Sequence, residues 1–132
     1  MSISRVTTIK FFDKIKRAFH NDQLGLQHAL TQQDNYGHYT PFHSAVYYDN
    51  GTVIAPLVLD LLKIAFNNNQ EGLQKALTAQ SDYGDTPLHK ATLNVHSVII
   101  KTLVSALKEA FTSNQQKLER ALTQEDYDGW TP

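Results

Sequence analysis

Three segments of this chain open with the same instructions. Asp82-Tyr83-Gly84-Asp85-Thr86-Pro87-Leu88-His89-Lys90-Ala91 is matched by Asp34-Asn35-Tyr36-Gly37-His38-Tyr39-Thr40-Pro41-Phe42-His43-Ser44-Ala45, and its opening recurs as Asp126-Tyr127-Asp128-Gly129-Trp130-Thr131-Pro132. In each, a glycine that tolerates positive φ precedes a Thr able to cap a helix whose first residue is Pro. The pattern dictates a turn followed by a helix. The third copy stops at Pro132, one residue into its helix, which reads as a truncated unit.

The spacing between glycines is 47 positions from Gly37 to Gly84 and 45 from Gly84 to Gly129. Phe12, Ile15 and Phe19 follow the spacing of one buried helical face over residues 8 to 20, with Phe11 and Ala18 widening the stripe. The register returns as Leu59, Leu62 and Phe66, then as Val104, Leu107 and Phe111. After each of these helices a polar break leads into a short segment with Leu and Ala at helical spacing. Leu26, Ala29 and Leu30 match Leu73, Ala76 and Leu77, then Leu118, Ala121 and Leu122. A dozen structureless residues in every unit would be unusual in a compact array, so a short third helix is expected. Asp49-Asn50-Gly51 turns the chain with Thr52 capping the next helix and Pro56 at its fourth position, while Asn94 to His96 makes the second such turn with Ser97 as cap.

Thr86-Pro87-Leu88-His89-Lys90-Ala91, and Thr40-Pro41-Phe42-His43-Ser44-Ala45 with Phe for Leu, resemble the T-P-L-H-x-A fingerprint of the ankyrin repeat. The likeness continues through Val95-His96-Ser97, similar to that family's glycine-histidine turn with Val95 in place of glycine. It implies an all-α, ankyrin-like solenoid with short hairpin turns and a single domain over residues 1–132. Within it, 1–33 form N-terminal capping helices, 34–80 the first repeat, 81–125 the second, and 126–132 the start of a truncated third. It also implies that His43 and His89 bond the Thr of their own motif and neighbouring backbone, so Thr40, Pro41, His43, Thr86, Pro87 and His89 are structural. With no cysteine, no bilayer-length apolar run and no signal peptide, a cytoplasmic protein is expected; units of this expanded length are similar to those of bacteria living inside eukaryotic cells, which implies delivery into a host cell's cytoplasm.

At 41% hydrophobic and 19% charged residues, the 132-residue chain suits one small domain and is not polar enough for disorder. A net charge of −1 provides no global basic field for nucleic acid, and the five Lys and Arg of residues 1 to 20 read as a solvated helix face. Cysteine is absent, which removes disulfides, thiolate catalysis and Cys-based zinc sites. The most apolar run, Val53 to Leu62, contains Pro56 and Asp60 and falls short of the roughly 20 residues that span a bilayer. Arg5, Lys10 and Asp13 interrupt the N-terminal apolar residues, unlike a signal peptide. No phosphate loop, nucleophile elbow or H-E-x-x-H helix is present, so neither catalytic residues, metal ligands nor a cofactor are expected.

The aromatics divide by type. All six phenylalanines fall at positions assigned to the core, whereas every tyrosine and the tryptophan fall at turns or at the end of a motif helix. Tyr36, His38, Tyr39, Tyr83, Asp85, Tyr127 and Trp130 are turn residues; Tyr47 and Tyr48 end the first motif helix, and Leu93 and Asn94 occupy the same places in the second. In the ankyrin family these two locations form the groove that holds protein partners, and Tyr and Trp are enriched at interface hot spots. The expectation is a protein-interaction module that binds a protein partner, neither nucleic acid nor membrane, as a monomer or with weak self-association through an open C-terminal end at Leu107, Phe111, Leu118 and Leu122. A capping fragment of a longer scaffold, and less so a helical enzyme domain, are the alternatives.

Overall fold

The computed structural model describes residues 5–48, 51–93 and 97–132. Among them all regular structure is helical: α1 (Arg5–Ala18), α2 (Gln23–Thr31), α3 (Pro41–Tyr47), α4 (Gly51–Ala65), α5 (Gln70–Leu77), α6 (Pro87–Leu93), α7 (Ser97–Ala110) and α8 (Gln115–Thr123). No helix of the described residues is long and apolar enough to cross a membrane.

The short third helix is present in all three places, and the polar break before it is what starts it. Asp22, Asn69 and Asn114 each accept a hydrogen bond from the backbone amide three residues on, at 2.8, 2.9 and 3.0 Å. Each thereby satisfies an amide that the first turn of a helix leaves without a partner. These helices also complete the ends of the long ones. Gln23 and Gln27 of α2 donate to the Ala65 carbonyl at 2.9 and 2.7 Å, and Gln70 and Gln74 of α5 donate to the Ala110 carbonyl at 2.7 Å each. The last carbonyls of α4 and α7, which their own helices cannot bond, are thus held by a helix one unit earlier.

Apolar burial follows the same period. α3 lies on α4 and α6 on α7, α2 packs on α4 and α5 on α7, and α3 contacts α6. Phe42, Leu61, Leu62, Leu77, Leu103 and Leu107 are sealed from solvent where these helices meet.

Five local expectations need correction. Phe11 is 59% exposed and Ala18 is exposed, because they lie on the side of α1 turned away from α2 and α4. Phe12 is buried, and Ile15 and Phe19 are half-buried against the core. α4 starts at Gly51, so Thr52 lies inside it and Pro56 is its sixth residue, where the ring removes one internal hydrogen bond. Ser97 is the first residue of α7, not its cap, and residues 94 to 96, which include Asn94, lie outside the described residues. At the C-terminal end Leu107, Phe111 and Leu118 are buried where α7 and α8 close on each other, and of the four residues expected at an open end Leu122 alone is half-buried.

The turns are tied to one another by backbone. The Asp82 amide donates to the Gly37 carbonyl at 2.8 Å, and the Tyr127 amide to the Tyr83 carbonyl at 3.0 Å. Gly84, with φ +81°, lies so close to the next turn that a Cβ there would stand 2.7 Å from the Tyr127 backbone nitrogen. Gly129 has a similar φ of +86° and nothing within 4 Å. Gly129→Ala is therefore expected to cost about 1 kcal/mol of conformational strain, and Gly84→Ala at least about 2 kcal/mol, from strain plus a clash with backbone. Urea denaturation of both variants measures this; equal losses would mean that the second and third turns do not touch.

Candidate functional site

His43 and His89 organise the surface on which the candidate contact residues sit. The Thr40 backbone amide donates to Nδ1 of His43 at 3.2 Å, which fixes the neutral tautomer carrying its proton on Nε2. That Nε2–H donates to the Asp85 carbonyl at 2.8 Å, joining α3 to the following turn. The arrangement repeats at His89, whose Nδ1 accepts from the Thr86 amide at 3.1 Å and whose Nε2 donates to the Trp130 carbonyl at 2.9 Å. In α3 the His43 amide also donates to Thr40 Oγ1, completing a capping box. Burial pushes His43 below the ordinary imidazole value; the bond to the Asp85 carbonyl works against this, and the nearby Lys90 charge adds to it.

On this frame Tyr39 and Tyr47 enclose Lys90. The Lys90 ammonium lies 4.5 Å from the centre of the Tyr39 ring, 5.2 Å from that of Tyr47, and 3.5 Å from Asp85 Oδ2. Its side chain is only 15% exposed and that of Asp85 16%. Burial opposes the ammonium charge, but hydrogen bonding and attraction from Tyr39, joined by Asp85, outweigh it, so Lys90 titrates above the ordinary lysine value. Tyr39 also packs edge-on to His43 and is stacked on Tyr83 at 6.5 Å between centres. Tyr39 and Asp85 are therefore occupied by neighbours within the chain.

A cleft of about 420 Å³ opens beside this cluster, lined by Asp34, Tyr36, Tyr39, Tyr47, Tyr48 and Lys90. The Asp34 carboxylate is engaged by the backbone amides of Tyr36 and Tyr39. A second cleft of about 380 Å³ lies against Asp85, His89, Leu93, Asp126 and Trp130. Tyr36, Tyr47, Tyr48, Tyr83, Leu93, Tyr127 and Trp130 all expose apolar surface, while α3 buries Phe42, Ala45 and Val46. Tyr47 and Tyr48 meet edge-on at 5.3 Å, at the mouth of the first cleft. His38, at φ +58°, is paired through Nδ1 with Asp82 at 2.6 Å, which ties one turn to the next.

The structure thus gathers Tyr36, Tyr39, Tyr47 and Tyr48 around one cleft and sets Asp85, Leu93 and Trp130 around the other. Tyr83 and Tyr127 lie on neither lining. Lys90, which sequence reasoning missed, stands at the centre of the cluster. The available signal was its motif place, since Lys90 occupies the position of Ser44 and a long side chain there reaches back over the preceding unit. Among the described residues there is no group of three or more His, Asp or Glu placed to hold a metal ion. No family model, known protein or solved structure matches this chain.

Proposed function

We propose that the chain is an ankyrin-type helical solenoid and acts as a protein-interaction module, with repeats at 34–80 and 81–125. Support for the repeat reading comes from the fingerprint and from the bond set that Thr40 and His43 share with Thr86 and His89. The observation that carries the binding reading is the exposed aromatic strip of Tyr36 on the turn and Tyr47 and Tyr48 at the end of α3, beside Lys90, with the other side of α3 already buried. Such a surface offers rigid amphipathic area at low entropic cost, with a charged group fixed at its base. The same proposal places the protein in a cytoplasmic setting.

The test is a hydrogen-exchange footprint of the protein bound to a partner captured from lysate. Protection confined to residues 36–48 and 83–93 supports the reading; protection on other elements would place the interface elsewhere. A second reading, a scaffold segment whose turns serve only their neighbours, is favoured by the occupation of Tyr39 and Asp85 within the chain. It calls for no protection on this face.

A further inference from the structure

The two ends of the molecule carry the two halves of a contact that the chain makes twice inside itself. α2 packs on the long helix α4, and α5 on the long helix α7. α8 is the third helix of this short type, and α1 is a long helix of the same register whose corresponding side bears Phe11, Lys14 and Ala18. In α4 those places are Val58, Leu61 and Ala65, and in α7 they are Leu103, Ala106 and Ala110, all buried. The opposite face shows the same contrast. Ala55, Leu59 and Leu77 are buried beneath α7, whereas their counterparts Ile100, Val104 and Leu122 are half-exposed.

The polar residues of these two faces match each other. Gln115 stands where Gln23 and Gln70 stand, and those two donate to the final carbonyls of the next long helix, Ala65 and Ala110. Its counterpart target on α1 is the Ala18 carbonyl. Glu119 replaces Gln27 and Gln74, and a carboxylate cannot donate to a carbonyl. One turn before Ala18, where α4 has Leu61 and α7 has Ala106, α1 carries Lys14. An amide-to-carbonyl contact inside the chain is thus exchanged for an acid on α8 and a base on α1. One like-charge pair opposes the match: Lys63 meets Glu109 at 3.4 Å within the chain, and the same places at the two ends hold Lys108 and Arg17.

We propose that a second copy of this chain docks head to tail, its α1 seated on the α7–α8 face, with Glu119 opposite Lys14 and Phe11 covering Val104 and Leu122. The contact is heterologous, so each added copy leaves both kinds of end available, and assembly passes beyond the dimer. It uses none of the residues lining the two clefts, and its outcome is separate from that of the groove reading.

Sedimentation velocity of the purified chain from micromolar to millimolar concentration tests this, with circular dichroism confirming that each variant is folded. The expected result is a mass that rises with concentration beyond the dimer. Glu119→Lys and Lys14→Glu, each alone, are expected to weaken association roughly fivefold to tenfold, since each sets like charges together. Mixing the two variants restores an acid–base pair at every junction, and association should return. A wild-type protein that stays monomeric throughout the range overturns the proposal, as does a mixture that associates no better than its components. Phe11→Asp adds a check free of the charge pair: association unchanged in that variant also overturns it.

Discussion

His43→Ala is expected to lose about 3 kcal/mol of folding stability. The imidazole joins a helix cap to the next turn, and its removal leaves the buried Thr40 amide without its acceptor and the Asp85 carbonyl without its donor. Two buried bonds at about 1 kcal/mol each, with a cavity in a site of 1% exposure, reach that figure. Chemical denaturation measures it, and a loss under about 1 kcal/mol would mean that the bond to Asp85 does not form in solution. The same residue gives the protein an acid-sensitive component. The bond from the Thr40 amide needs an unprotonated Nδ1, and burial holds the folded-state pKa below the ordinary value of 6.5, although the bond to the Asp85 carbonyl works the other way. The unfolded chain therefore binds the proton first as pH falls. This stabilisation is complete above about pH 6.5 and is lost as pH drops from there through the lower folded-state value. The stability difference between wild type and His43→Ala should accordingly shrink on acidification; a difference that stayed constant from neutral pH to about pH 5 would refute the assignment.

The second large effect is on binding. Replacing Tyr47 and Tyr48 together by Ala is expected to weaken a groove partner by at least about 2 kcal/mol, the level at which an interface residue counts as a hot spot. Tyr48 contributes exposed ring surface, while Tyr47 also forms one wall around Lys90. The variant should remain folded with a stability cost of about 1 kcal/mol, the scale of one cation–π contact. Titration of a captured partner against both forms decides the matter. Unfolding of the variant would make these rings part of the core, and unchanged affinity would put the interface on another face.

The architecture was legible wherever a residue acts on its own neighbourhood. Thr40 with Pro41 announces a helix start through a bond that spans three residues, and the spacing of Leu73, Ala76 and Leu77 after a polar break announces another; the structure has helices in both places. Phe11 was misread because helical spacing reports which positions share a face but not whether anything covers it. Lys90 was missed for a related reason. Its environment is made by Tyr39 and Tyr47, in the preceding unit, and along its own helix it looks like any solvated lysine. The glutamines of α2 and α5 were equally silent, since the carbonyls they serve lie some forty residues further on. Local chemistry could be read from the chain; chemistry between units needed the register in space.

Those glutamine bonds, with the histidine and turn contacts, share one property that bears on how the chain reaches its fold. The side-chain bonds that cross from one unit to the next span between 36 and 47 residues, and none of those described skips a unit. The entropic cost of closing a loop grows with its length, so these closures are all of similar difficulty and none waits for the two ends of the chain to find each other. Assembly can start at any of the three long helices and advance by equal steps, and a segment emerging from the ribosome has its next docking surface already made.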